Sequence, residues 1–200
     1  MKKILLMMLL AFSLILVACT PTDGDKDNDE PTAQEIFEAK FQFLEDNNYE
    51  LEIKVTDHQA LDDTVVMMYF DGDIVKYEDG SYVAYYDNSG SQSKIHVKQG
   101  DTYAISDADF DEAGLLYYGF EFEQFSVNNA TSYLMKQDQY DSLDTFIGLE
   151  GEVTGIDSLQ VRVNDTHLTE VIFNIVVGET TYLVTLTISN VGQVDLVLPA

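Results

Sequence analysis

Basic side chains are scarce. The 200-residue chain has 10 lysines and arginines against 36 aspartates and glutamates, a formal net charge of -26. Arg162 is the only arginine. Such a surface repels nucleic-acid phosphates, which excludes a nucleic-acid partner. Cysteine is nearly absent too: Cys19 is the only one, so the chain has no disulfide and its fold must rest on apolar burial. Tryptophan is missing. No apolar run reaches the ~20 residues of a stable membrane span. No Gly-x-Ser-x-Gly elbow and no phosphate-cradling glycine loop occurs, and Gly148-Leu149-Glu150-Gly151 fits neither phosphate pattern. What is plentiful is tyrosine (12) and phenylalanine (11), a composition that folds.

The longest apolar run, Ile4 to Ala18, is broken only by Ser13. Lys2 and Lys3 precede it, and it ends in Leu16-Val17-Ala18-Cys19 before a polar, acidic stretch. This resembles a bacterial lipoprotein signal peptide with its lipobox. The resemblance implies removal of Met1–Ala18, a lipidated Cys19 at the new N-terminus, and an extracytoplasmic protein anchored to the cell membrane through that lipid. An uncleaved transmembrane anchor is the other reading, weakened by the shortness of the run. Without Lys2 and Lys3 the balance becomes 8 basic against 36 acidic residues, a formal charge of -28. Thr20 to Glu30 has no apolar residue that could pack and reads as a flexible acidic tether, spanning on the order of 18 Å. The division is therefore a signal peptide over 1–18, the lipidated cysteine and linker over 19–31, and one domain over 32–200.

Thr32 with Glu35 three residues on makes a capping box, predicting a helix with Ala33, Ile36, Phe37, Phe41 and Leu44 on its apolar face. Asn47-Asn48 can end it in left-handed conformation. From Tyr49 the period becomes two: Tyr49, Leu51, Ile53 and Val55 alternate with Glu50, Glu52, Lys54 and Thr56. Thr64–Phe70, Ile74–Glu78, Ser81–Tyr86, Ile95–Lys98 and Thr102–Ile105 follow, with glycine turns at Asp71-Gly72-Asp73, Asp79-Gly80 and Gln99-Gly100-Asp101. This predicts an antiparallel meander. A short helix or loop and then a strand over Phe120–Ser126 come next; Thr131–Gly148 is ambiguous, its Tyr133, Leu134, Tyr140, Leu143, Phe146 and Ile147 being compatible with helical turns under a sheet. Short strands are expected at 151–155 and Leu159–Val163. The long ones, Leu168–Val177 and Thr181–Ile188, precede a final strand Val194–Leu198.

Chemistry-bearing groups are dispersed. His58, His96 and His167 lie far apart and form no ligand-spaced pair, so they read as surface histidines of turns and strand ends rather than zinc ligands. Asp23-x-Asp25-x-Asp27 begins like a calcium loop, but Asn28 and Gln34 occupy its glycine and glutamate positions. Asp107-x-Asp109-x-Asp111 also lacks the glycine. No metal, cofactor or catalytic residue is expected. The remaining signal is strands apolar on both sides, as in Val65–Phe70 and around Tyr82, Tyr85 and Tyr86, which are covered on both faces or line a cavity. Met68, Phe70, Tyr82 and Tyr85 are the candidate cavity residues.

A leading helix runs through an asparagine corner into Tyr49-Glu50-Leu51-Glu52-Ile53, with Leu168–Phe173, Tyr182–Leu186 and Val194–Pro199 closing the chain. This order resembles the LolA/LppX-type superfamily of lipoprotein carriers and lipid-binding surface lipoproteins. The resemblance implies an α+β, mainly antiparallel β domain: one strongly curved sheet, an unclosed half-barrel, packed over an N-terminal helix and one or two short helices. It also implies a non-enzymatic protein that binds or carries an apolar ligand, a lipid, in a cavity. An anchored interaction or adhesion domain, whose acidic face binds a protein partner or cations, is the alternative.

Overall fold

A computed structural model describes residues 31–57, 62–108, 119–143 and 153–199. The leader, Cys19, the acidic tether, His58, Asp109, Asp111, the run Leu115–Tyr118 and Gly148–Gly151 lie outside the described residues. Thr32–Ala200 forms a compact unit of mainly antiparallel β-structure with one α-helix among the described residues.

The helix, α1 (Ala33–Glu45), starts where the capping box places it. Thr32 Oγ1 accepts from the Glu35 N–H at 3.2 Å, and the Glu35 carboxylate accepts from the Thr32 N–H at 2.7 Å. Two of the four orphan donors of the first turn are thus engaged. The C-terminus departs from expectation. Asp46 caps in right-handed conformation, and neither Asn47 nor Asn48 has positive φ. Asn47 Nδ2 instead donates to the Phe43 carbonyl at 2.7 Å, so its amide does the work expected of a left-handed backbone.

Among the described residues eleven strands follow: β1 (Tyr49–Asp57), β2 (Asp62–Asp71), β3 (Ile74–Asp79), β4 (Tyr82–Asp87), β5 (Lys94–Gln99), β6 (Thr102–Asp107), β7 (Phe125–Asn129), β8 (Ser132–Met135), β9 (Val153–Val163), β10 (Leu168–Val177) and β11 (Thr180–Ser189). They form one sheet in the order β6-β5-β4-β3-β2-β1-β11-β10-β9-β8-β7, with every neighbour antiparallel. The sheet is not closed: the end strands β6 and β7 do not pair with each other. Two consecutive meanders are joined where the last strand, β11, returns beside β1. Gly72 and Gly80 open two-residue hairpin loops with φ of +57° and +54°, the left-handed first position that such loops require.

Register carries side chains across the sheet in rows. Tyr133, Val161, Val171, Leu186, Ile53 and Val66 make one row; Ile188, Leu51, Met68, Tyr77, Ala84 and Val97 make another. Both rows face α1. The helix contributes Phe37 and Leu44, each 1% exposed, to the core these rows build. Phe37 meets Phe122, Phe125 and Tyr133 at ring-centroid distances of 5.7, 5.3 and 5.0 Å.

Several expectations about the strands are corrected. Phe122–Gln124 is a 3-10 turn, and the strand starts only at Phe125. Thr131–Gly148, ambiguous in sequence, holds strand β8 and then 3-10 helical turns at Gln137–Leu143 that include Tyr140 and Leu143. Among the described residues Val194–Leu198 pairs with no strand: Leu196 N–H donates to Asp71 Oδ2 at 2.8 Å and Asn48 Nδ2 donates to the Val194 carbonyl, so side chains hold this segment. β9 is also one strand rather than two, kinked at Ser158, whose φ is 58°.

Candidate functional site

The four cavity candidates separate. Met68, Phe70 and Tyr82 lie on the α1 side of the sheet, as the pairings Leu51–Met68, Tyr49–Phe70 and Val66–Asp79–Tyr82 require. Tyr85 lies on the opposite side, in the row Glu50, Tyr69, Lys76, Tyr85, His96 and Ile105. Adjacent positions on a strand point to opposite faces, so residues in both rows cannot line one cavity. Met68 and Phe70 are 5% and 4% exposed and belong to the packed core, with Phe70 stacked on Tyr49 at 4.6 Å. Tyr82 is 44% exposed.

α1 packs against β10 and the Phe122–Gln124 turn. On the far wing, β3 to β5, the same sheet face carries Tyr77, Tyr86, Ile95 and Val97, all half-buried, around the fully buried Ala84. Tyr77 and Tyr82 meet edge-on at 5.8 Å. Burial pushes the Tyr77 and Tyr86 phenols above their ordinary value, so both stay neutral donors at the rim of an apolar surface. This tyrosine-lined wing is continuous with the core through Met68 and Val75.

Clefts lined by described residues flank α1. One, of about 140 Å3, is lined by Phe37, Phe41, Leu44 and Phe120 with Glu38, Gln42 and Glu45 at its mouth. The other, of about 290 Å3, lies between the end of α1 and the β2–β3 turn, with Glu45, Asp46 and Asp71 on its walls. Asn48 Oδ1 beside it is buried without a hydrogen-bond partner. Both volumes fall below the ~300–1,000 Å3 usual for a small-molecule pocket.

The opposite face carries a closed polar network. Lys76 Nζ pairs with Glu78 at 2.7 Å, lies 4.8 Å from the Tyr69 ring centroid, and Tyr69 Oη donates to Glu78 at 3.1 Å. The hydrogen bond from Lys76 holds the Glu78 carboxyl below its ordinary range despite burial. His96, expected at the surface, is only 7% exposed, and its Nδ1 is buried without a hydrogen-bond partner. Its mid-strand position opposite Tyr85 and Ile105 explains that burial, since cross-strand neighbours flank it on both sides. His167 is half-buried and stacked on Phe43 at 5.7 Å. Among the described residues no group of three or more His, Cys, Asp or Glu side chains is arranged to hold a metal ion. Nor is any helix among them long and apolar enough to cross a membrane. Comparison with protein-family models and with curated proteins finds no match for the chain.

Proposed function

We propose that the protein is a membrane-anchored, extracytoplasmic bacterial lipoprotein that binds an apolar ligand, a lipid, without catalysing a reaction. The observation that carries this reading is the tyrosine-rich wing of β3–β5, apolar on the α1 side and continuous with the core. In this reading the eleven-stranded sheet curves round α1 as an unclosed half-barrel, and the ligand lies on that wing rather than against Met68 or Phe70. Binding is passive: each methylene withdrawn from water contributes ~0.8 kcal/mol. The leader supports the anchor, with Cys19 as the lipidated residue and the acidic tether lifting a negative domain from a negative surface.

Native mass spectrometry of the intact chain, purified from bacterial membranes, tests both halves. The denatured mass reports the covalent lipid on Cys19; the native mass reports lipid held without a bond. Tyr82→Glu, on the wing, is expected to lose the non-covalent lipid. Tyr85→Glu, on the other face, is expected to keep it. An unmodified Cys19 would remove the anchor, and a wild-type native mass free of lipid would remove the carrier reading.

The second reading, an anchored interaction domain using its acidic face, is favoured by the filled core and the small clefts. It predicts that no lipid co-purifies and that a basic protein partner, or cations, bind in a salt-sensitive manner.

A further inference from the structure

The turn between β9 and β10 surrounds its histidine with partners that suit one tautomer. Asn164 Oδ1 accepts from the Thr166 and His167 backbone N–H groups, each at 2.8 Å. Those two bonds fix which end of the Asn164 amide is oxygen. Its Nδ2 donor therefore faces His167 Nε2, at 3.3 Å, and Nε2 must accept. Thr166 Oγ1 spends its one proton on Asn164 Oδ1 at 3.1 Å, so at 2.8 Å it accepts from His167 Nδ1. Both ring nitrogens are satisfied in the neutral Nδ1–H tautomer. A proton on Nε2 would set donor against donor.

The ring also forms part of a seam between elements. Phe43 of α1 stacks on it with an interplanar angle of 16°. Lys40, one turn earlier on α1, adds positive charge nearby. Asp165, in the same turn, is exposed, and no ion pair reaches the ring among the described residues. Arg162 of β9 and Glu170 of β10 are paired with each other at 2.7 Å and lie on the other side of the sheet from Val161 and Val171. Nothing among these groups offers an acceptor to a second ring proton.

We propose that His167 is a pH-sensitive latch, which holds the C-terminal half of α1 on the β9–β10 turn when neutral and releases it when Nε2 is protonated. Released, the ring breaks its bond to Asn164 and its stack on Phe43, the contact through which the end of α1 meets the turn. Burial and Lys40 act in the same direction, holding the imidazole below its ordinary value of 6.5. The latch is independent of any ligand on the sheet.

The test uses the full chain in a mild detergent. A histidine NMR titration follows the His167 ring, and hydrogen exchange follows the amides of Lys40–Glu45. The ring is expected to titrate below 6.5, and those amides to lose protection severalfold between about pH 7.5 and about pH 5, after correction for intrinsic exchange, while β11 amides keep theirs. His167→Phe retains a stacking ring and cannot titrate; its helix protection should not change across that range. A ring that titrates at or above 6.5, or a variant that loses helix protection as the wild type does, would overturn the latch. If the variant does not fold, the wild type still decides: midpoints for ring and helix that fail to coincide reject the proposal.

Discussion

At the scale of single residues, polar groups do as much as apolar ones to fix the local structure. Leu159 is fully buried directly after the left-handed Ser158, where β9 kinks. Its N–H donates to Tyr140 Oη at 3.2 Å. Tyr140→Phe keeps the ring and deletes that acceptor. An orphaned buried donor costs about 1–3 kcal/mol, and urea unfolding of the variant should show a loss of that size with an unchanged m-value. Glu78 supplies a pH dependence of known sign. Its carboxyl is depressed in the folded protein, first by the Lys76 hydrogen bond and then by Tyr69, against burial. A depressed carboxyl binds fewer protons folded than unfolded. Its contribution is therefore complete above the ordinary value of 4.5 and is lost as pH falls through the lower folded value. Glu78→Gln should flatten the stability curve in that acid window and leave its slope near neutrality unchanged.

At the scale of elements, hairpin turns set register, and register decides which side chains share a face. Gly80 sits at φ +54° with nothing within 4 Å of where a Cβ would be. The penalty for a side chain there is conformational alone. Gly80→Ala should cost about 1 kcal/mol in thermal or urea unfolding, and Gly80→Asn less, because asparagine tolerates the left-handed region. These turns are legible in the sequence, as are the capping box of Thr32 and Glu35 and the alternation of β1, because each depends on residues a few positions apart. The partition of candidate residues between faces is less so. Val65–Phe70 is apolar at every position, and a run without alternation does not say which side faces the core; pairing with Leu51 does. Tyr85 and Met68 both lie in strands rich in apolar side chains, and parity puts them on opposite faces. β9 hides its continuity behind Gly155 and the kink at Ser158. Val194–Leu198 alternates like a strand, yet Asn48 and Asp71, from the other end of the domain, take its backbone groups. The latch at His167 is invisible in sequence because Phe43 and Lys40 are more than a hundred positions away.

At the scale of the whole molecule, charge opposes what the core holds together. The 36 acidic residues face only 10 basic ones. Among the described residues the ion pairs are Lys54–Asp63, Arg162–Glu170 and the half-buried Lys76–Glu78, and three pairs offset little of that, since exposed ones contribute only ~0–1 kcal/mol each. Self-repulsion therefore outweighs local attraction, and screening should help the folded state more than it weakens the pairs. The Debye length shrinks from ~30 Å at 0.01 M to ~3 Å at 1 M salt, so the effect belongs to the range between. The melting temperature should rise by a few degrees with added sodium chloride, given that ~1 kcal/mol moves a domain of this size by ~2–4 °C. Calcium chloride at matched ionic strength separates the two readings of the acidic surface. Equal shifts would mean that the carboxylates act only as a repelling field. A larger shift with calcium, saturating at low concentration, would mean that some converge on a cation and would favour the interaction domain over the lipid carrier. A fall in melting temperature with either salt would show that the few ion pairs, not the net charge, dominate the electrostatics of the fold.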